Sequence, residues 1–268
     1  MTQPGLLELI GVRDWPAFVL VSARVSGLFL AAPLWSMAGM PRSVRAAVAV
    51  VLSVILLPLL PAVRPLPDDM MAMSVILAGE TLLGISIGLT GAVVLHAVTV
   101  AGEVTSLQMG LSLGQALGSL PEGATVGVGQ LQGYFALTIY LSLGGHLTLY
   151  EGLAASFRAV PPGQAAAGLL GGREVVELAA AVFSGAIRTA APIIVALLLA
   201  NLALAILGKA VPQLNIMMVS FPVTIAIGLV MLGASLPFLA AHLSRAVAAF
   251  PASVGQTIEA FTPVPVAR

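Results

Sequence analysis

The sequence contains no cysteine and few charged residues. Of its 268 residues, 8% are charged and 59% are hydrophobic, whereas soluble domains are about 25% charged. The absence of cysteine excludes disulfides, thiol catalysis and Cys-ligated metal sites. So few charges cannot cover the surface of a compact soluble protein, and they also exclude a disordered chain, which needs low hydrophobicity and high charge. The composition therefore predicts a polytopic helical protein that is buried in lipid or in other subunits.

Signals for nucleic-acid binding and for catalysis are also missing. The formal net charge is zero, so the chain has no overall basic charge to attract nucleic acid. His96, His146 and His242 lie at least 50 residues apart along the chain. No HExxH, glycine-rich phosphate loop or Gly-x-Ser-x-Gly motif occurs. We therefore expect no enzymatic activity, no cofactor and no metal site.

Long apolar segments dominate the chain. A membrane-crossing helix needs about 20 largely apolar residues, and six segments approach or exceed that length. Pro192, Pro222 and Pro237 fall inside the last two segments, where they predict kinks. The pattern predicts an all-α fold of membrane-associated helical hairpins. The six segments cover approximately residues 15–35, 46–60, 70–100, 131–157, 175–207 and 216–250.

Charged residues lie within these apolar segments, among them Arg24, Glu80 and Arg188. A charge at the centre of a bilayer costs at least about 2.5–3.5 kcal/mol, so each needs a partner, a wet cavity or a position outside lipid. One interpretation is an ion or proton pathway. The other is burial in protein with ion pairing, for example of Glu80 with Arg24 or Arg188. We favour pairing, because Glu80 is the one carboxylate in the middle of a clear apolar span.

Glycines recur at a spacing of four in two places. Gly84 and Gly88 form a Gly-x-x-x-Gly motif, which lets another helix backbone approach closely. Gly110, Gly114 and Gly118 continue the same period, but each glycine costs about 1 kcal/mol in a helix relative to alanine. We therefore expect residues 108–132 to form a flexible loop or a broken helix. Irregular backbone at such depth is tolerated only when it is buried in protein or lines a cavity, so this region is the candidate gate, with an ordinary exposed connection as the alternative.

Three strings in the sequence resemble the flagellar biosynthesis protein FliR family. They are MPRSVRAAVAV at residues 40–50, AGEVTSLQMGLSL at 101–113 and NLALAILGKAVPQLNIMMVSFPVTIAIG at 201–228. The order and spacing of the apolar segments fit as well, so the resemblance covers nearly the whole chain. From these strings we assign packing roles to Pro41, Arg45, Asn201, Pro212, Gln213, Phe221 and Pro222.

The resemblance implies a single FliR-like domain over residues 1–268 that is buried in a hetero-oligomeric gate. Such a chain would be a subunit of the type III export gate in the bacterial inner (cytoplasmic) membrane, at the flagellar basal body. Its implied partners are FliP and FliQ, with FlhB and FlhA, and unfolded flagellar subunits would pass through the channel. Membrane lipid is a further neighbour, and nucleic acid is not.

The resemblance also implies roles for individual residues. In this family the loop after the Leu-Gln-Met-Gly string contributes to a plug, which here corresponds to residues 110–129. This chain has Ser-Leu-Pro-Glu at residues 119–122, where family members often have Asp-Pro, so the individual plug contacts stay open. Because subunits of such a gate bury much of their surface in each other, we expect Arg24, Glu80 and Arg188 at contacts within or between subunits. The residues assigned to the plug are Gln108, Met109, Gly110, Gly114, Gly118 and Pro121.

A small-solute secondary transporter of the inner membrane is the alternative function. Charges within apolar segments, prolines and a broken helix could form a binding site near the membrane midplane. The sequence lacks the matching pair of broken helices in two halves, and it lacks a carboxylate cluster for a coupling ion. The transporter therefore remains the second hypothesis.

Overall fold

The computed structural model describes residues 15–36, 41–60, 67, 69–111, 127–166, 172–210 and 216–262. Every regular element in these ranges is a helix, which confirms the all-α fold. A short 3-10 helix, Leu57–Leu59, follows the third α-helix. The helices are α1 (Trp15–Ala31), α2 (Pro33–Ser36), α3 (Arg42–Leu56), α4 (Met70–Gln108), α5 (Val128–Ser142), α6 (Gly145–Ala159), α7 (Gly172–Ala210) and α8 (Ile216–Ala260).

The six apolar segments do not correspond to six membrane-crossing helices. Within the described ranges, three stretches are long and apolar enough to cross a bilayer: Met70–Gln108, Phe183–Ala210 and Pro222–Ala260. Helix α4 has 39 residues and rises about 58 Å, nearly twice the hydrocarbon thickness of about 30 Å. The helices α1 and α3, with 17 and 15 residues, are shorter than a crossing requires.

The fourth apolar segment is two helices. Gly144 separates α5 from α6 and has a φ of 74°, a left-handed conformation that glycine adopts without steric cost. Pro192, Pro222 and Pro237, in contrast, lie within α7 and α8 and end neither helix.

The contacts divide the chain into two compact units. Unit 1 comprises Met1–Ala92, Gly144–Ala179 and Ala248–Arg268, and unit 2 comprises Val93–Leu143 and Ala180–Val247. The long helices α4, α7 and α8 each contribute to both units. A single FliR-like domain over the whole chain therefore stays a prediction.

In unit 1, the backbones of α1 and α4 approach each other at glycines. A Cβ atom added at Gly84 would overlap the backbone carbonyl of Arg24, and one added at Gly88 would lie 2.7 Å from the carbonyl oxygen of Leu28. A Cβ atom at Gly27 would overlap the carbonyl of Thr81. Helix α1 thus packs against α4 at Gly84 and Gly88.

In unit 2, a buried apolar cluster joins four helices. Its members are Met109, just after α4, Val128 at the start of α5, Ile193 and Leu197 on α7, and Leu232 on α8. Ile193 and Leu232 lie at similar sequence distances from the connection between α7 and α8 at residues 211–215. These parts of α7 and α8 therefore form an antiparallel hairpin.

Candidate functional site

The predicted gate region begins at a defined helix end. Helix α4 ends at Gln108, which is half-buried, and Gly110 has a φ of 78°. The Gly110 N–H donates to the carbonyl of Leu107 at 3.0 Å, and the Leu111 N–H donates to Ser106 at 3.2 Å. A left-handed glycine is a common way to end a helix, so α4 stops where the glycine-rich region starts. Gly114, Gly118 and Pro121 lie outside the described residues.

Met109 holds this helix end in the core of unit 2. Its side chain is fully buried in the apolar cluster. The hydroxyl of Thr224 on α8 donates to the carbonyl oxygen of Met109 at 3.3 Å. It also donates to the carbonyl oxygen of Ser220 at 2.9 Å. A Cβ atom added at Gly228 would lie 2.6 Å from both Cγ and Sδ of Met109. Gly228 therefore leaves the space on α8 that the Met109 side chain fills.

The far end of the region is held where α5 crosses α4. A Cβ atom at Gly129 would lie 2.8 Å from the carbonyl oxygen of Thr99 and 2.9 Å from the backbone nitrogen of Glu103. A Cβ atom at Gly102 would lie 2.6 Å from the Gly129 Cα. The nearby Gln132 is buried, and its Oε1 has no hydrogen-bond partner among the described residues. Because two backbones are in direct contact, even one added methyl group would push α5 away from α4.

Arg24 and Glu80 form a buried ion pair in unit 1. Both side chains are fully buried, and the Arg24 Nη2 and Nε lie 2.6 and 2.7 Å from the Glu80 Oε2. Arg24 also donates to the Ser156 hydroxyl at 3.1 Å and to the Val160 carbonyl at 3.0 Å, and its guanidinium lies 4.2 Å from the ring centre of Phe157. One side chain therefore connects α1, α4 and the end of α6.

The second oxygen of Glu80 is also occupied. Its Oε1 accepts the N–H of Gly163 at 2.8 Å, so both carboxylate oxygens have donors inside the protein. Such a group is not an open site for an ion or a proton carrier.

Arg188 does not share this environment. It lies in unit 2 on the exposed surface of α7, so it is not buried within the single chain, and its expected contact between subunits stays a prediction. Arg188 is exposed because only a narrow face of α7 packs against the other helices, and Arg188 lies on the opposite face.

Of the seven residues chosen from the family strings, three are exposed on the single chain. Pro41 precedes α3 and is exposed, Arg45 is half-buried, and Asn201 and Pro222 are exposed on α7 and α8. Phe221 lies in α8, and Pro212 and Gln213 lie outside the described residues. Their packing roles stay predictions.

Several contact residues were not found from the sequence. Ser156, Phe157 and Val160 meet Arg24 from more than 130 positions away along the chain, and no local pattern marks them. Gly228 was within a family string, but its contact with Met109 depends on the packing of α8. Among the described residues, no group of three or more His, Asp or Glu side chains is placed to hold a metal ion.

Comparisons with known proteins identify the family of the chain. Residues 15–250 match the family described as "Bacterial export proteins, family 1". The flagellar biosynthetic protein FliR of Bacillus subtilis is 31% identical over 81% of this chain and 85% of its own length. FliR of Caulobacter vibrioides is 30% identical over 82% and 88%, and that of Escherichia coli is 28% identical over 90% of both chains. The chain therefore belongs to the bacterial export proteins of family 1, the FliR family, as a component of flagellar protein export.

Proposed function

We propose that the chain is a non-enzymatic subunit of the flagellar type III export gate in the bacterial inner membrane. In this proposal it forms part of the channel for unfolded flagellar subunits, and residues 110–129 act as a movable closure. The observation that carries the proposal is that the glycine-rich region is held at both ends, by Met109 on one side and by the Gly102–Gly129 crossing on the other.

A movable closure needs fixed ends and an adaptable middle. The fixed ends are supplied by an apolar side chain in the core and by two backbones in direct contact. The intervening sequence contains Gly114, Gly118 and Gly123, and glycine, lacking a Cβ atom, permits backbone conformations that other residues do not. Rearrangement would therefore be confined to the residues between the two anchors.

We propose FliP and FliQ as direct partners, with FlhB and FlhA in the same apparatus. The support is family membership together with the large apolar side chains that the isolated chain exposes on α3, α7 and α8. Large exposed apolar patches mark contacts with other proteins or with the membrane. Other subunits and lipid are the surroundings that would cover it.

No observation favours the secondary transporter. Both oxygens of Glu80, the carboxylate in the middle of the third apolar segment, already accept from Arg24 and Gly163. A coupling ion would have to displace an arginine that also donates to Ser156 and Val160.

The proposal is tested by Gly110→Val in the native operon. Valine is strongly disfavoured at a φ of 78°, so the helix end at the start of the closure must change. We expect FliP and FliQ to co-purify with the variant as with the wild type. Secretion of flagellar subunits should fall several-fold, or ion leakage through the membrane should rise.

Gly127→Val is the matched control at the other end of the same region. Its φ of −61° suits any residue, and an added Cβ atom meets nothing within 4 Å. Secretion and leakage should be close to wild-type values. Unchanged secretion and leakage in Gly110→Val would contradict the closure, and a chain that never co-purifies with FliP and FliQ would contradict the gate subunit.

A further inference from the structure

An open cavity lies between α6 and the last part of α8 in unit 1. Its volume is about 200 Å³. The lining residues recur at spacings of three or four along each helix, so one face of α6 and one face of α8 form its walls. They are Thr148, Glu151 and Ala155 on α6 and Pro251, Val254 and Ile258 on α8, with one glycine of each helix between them.

The two glycines give the cavity its shape. Gly152 is the point of closest approach, because a Cβ atom added there would lie 2.5 Å from Cγ1 of Val254 on α8. Gly255 also lines the cavity and is half-buried, but a Cβ atom added there would meet nothing within 4 Å. The helices are thus in direct contact at Gly152, while the space beside Gly255 is left open by the described residues.

Glu151 places one carboxylate on this largely apolar lining. Its side chain is exposed, and among the described residues no Lys, Arg or His side chain forms an ion pair with it. Arg158 follows seven residues later on α6, about 10 Å further along the helix, and does not line the cavity. Thr148, one turn before Glu151, adds a hydroxyl group. The cavity therefore combines apolar walls with a negative charge that this part of the chain leaves without a counter-ion.

The size of the cavity fits a single long side chain. Pockets for small-molecule ligands usually have volumes of about 300–1,000 Å³, which is more than this cavity offers. Arginine and lysine bury their methylene stems along apolar surface and keep the charged group at a polar edge. An acyl chain or an apolar side chain would fill the same space but would leave the Glu151 carboxylate unpaired. Shape and charge together therefore favour a basic side chain.

We propose that this cavity receives an arginine or lysine side chain from a neighbouring subunit of the export complex. The stem of that side chain lies along Val254 and Gly255, and its cation pairs with Glu151 beside the Thr148 hydroxyl. The inference rests on the proposed function, because it requires that the chain works as a subunit. It adds a contact surface in unit 1 and the chemistry of the partner residue, and it uses none of the residues assigned to the movable closure.

Filling the cavity distinguishes a docking site from an unused hollow. Gly255→Leu, expressed in the native operon, places a side chain in space where an added Cβ atom meets nothing within 4 Å. Filling an unused cavity commonly stabilises a protein, whereas filling a docking site excludes the incoming side chain. We expect the amount of neighbouring subunits retained on the affinity-purified chain after a high-salt detergent wash to fall several-fold. Gly255→Ala adds one methyl group, leaves most of the volume open, and should retain them as the wild type does.

Removing the charge is an independent test that leaves the packing of the helices unchanged. Glu151→Gln keeps the shape of the side chain, and we expect a several-fold loss of retained subunits in the same wash. Glu259→Gln is the matched control, because Glu259 is also an exposed carboxylate of unit 1 but does not line the cavity. Its retention should equal that of the wild type.

Second-site suppressors identify the occupant of the cavity. Glu151→Lys should impair motility, because two cations would meet. Selection for restored motility should yield replacements of an arginine or lysine in another subunit by a neutral or acidic residue. Suppressors confined to residues 263–268 of this chain, which include Arg268, would show that its own C-terminal residues fill the cavity, and would overturn the proposal.

Two further results would contradict the proposal. Wild-type retention in both Gly255→Leu and Glu151→Gln would show that no side chain docks here, while co-purification of the wild-type chain with FliP and FliQ would leave the subunit assignment intact. A loss in Gly255→Leu without a loss in Glu151→Gln would show that the occupant is apolar. If the wild-type chain never co-purified with other subunits, the proposed function would fail together with this inference.

Discussion

The two units use different means to hold their helices together. Unit 1 buries the Arg24–Glu80 ion pair, with hydrogen bonds to Ser156, Val160 and Gly163. Among the described residues of unit 2, no charged side chain is buried, and the core consists of apolar contacts and close glycine approaches. A displaced charge pair leaves an uncompensated ion in a dry interior, whereas apolar contacts are non-directional. We therefore expect that helices of unit 2, which bears the glycine-rich region, can shift at a lower free-energy cost than those of unit 1.

Further polar contacts reinforce unit 1. The hydroxyls of Thr90 on α4 and Thr257 on α8 lie 3.1 Å apart in the interior. The Trp35 indole donates to the Tyr150 hydroxyl at 3.2 Å. Because hydrogen bonds depend on distance and direction, these contacts fix the register of helices that would otherwise slide on apolar faces.

Breaking the ion pair should produce the largest effect. Arg24→Met or Glu80→Leu alone leaves the other charge buried and unpaired, which costs about 3–5 kcal/mol. We expect the yield of each single variant in the purified membrane complex to fall to a small fraction of the wild-type yield. The measurement is the yield and thermal unfolding midpoint of the purified complex in detergent.

The combined variant Arg24→Met with Glu80→Leu separates charge from packing. Hydrophobic replacement of a buried ion pair is often neutral or stabilising, so the double variant should recover much of the lost stability. If it is as poor as either single variant, the hydrogen bonds of Arg24 to Ser156 and Val160, and not the charge pair, hold unit 1.

The next largest effect is expected from Gly84→Ala. The added Cβ atom would overlap the backbone carbonyl of Arg24. Because a backbone cannot move aside as a side chain can, α1 must shift, which we expect to destabilise the fold by about 1–3 kcal/mol. The thermal midpoint of the complex should fall. Gly255→Ala, on α8 in the same unit, is the control, because its Cβ atom meets nothing within 4 Å. Equal midpoints for the two variants would mean that α1 does not approach α4 as closely as described.

Features that depend on local physics could be predicted from the sequence. The apolar segments are helical where they are described, the Gly84–Gly88 spacing marks a close helix contact, and α4 ends at Gln108, just before the left-handed Gly110. Glu80 could be matched with Arg24 or Arg188 but not assigned to one, since the choice depends on which helices pack together.

Other features depend on contacts that the sequence does not encode locally. The break between α5 and α6 lies within one apolar run, and only the conformation of Gly144, which is left-handed, marks it. The apolar neighbours of Arg188 in the sequence do not show that it is exposed in the single chain, because that depends on which side of α7 packs against the other helices. The contact between Met109 and Gly228 joins positions more than 100 residues apart.

In unit 2, Gly129→Ala should have an intermediate effect. The Cβ atom would lie 2.8 Å from the Thr99 carbonyl oxygen and 2.6 Å from the movable Cγ of Glu103, so we expect a cost of about 1–2 kcal/mol. Because α5 begins at the far end of the proposed closure, ion leakage should rise along with the fall in thermal midpoint. Gly233→Ala, a helical glycine of the same unit with open space at Cβ, should leave leakage unchanged. A fall in stability without any leakage would separate this crossing from the closure.

The smallest effect is expected for Gly228→Ala, and it decides how adaptable unit 2 is. The added Cβ atom would meet only the side chain of Met109, at 2.6–2.8 Å, and methionine is flexible enough to move aside. In a helix, alanine also gains about 1 kcal/mol over glycine, so the net change should stay below about 1 kcal/mol relative to Gly233→Ala, which has the same gain and no contact. The thermal midpoints of these two variants give the packing cost directly. A cost as large as that of Gly129→Ala would show that Met109 is held as rigidly as a backbone, and the contrast between a rigid unit 1 and an adaptable unit 2 would then fail.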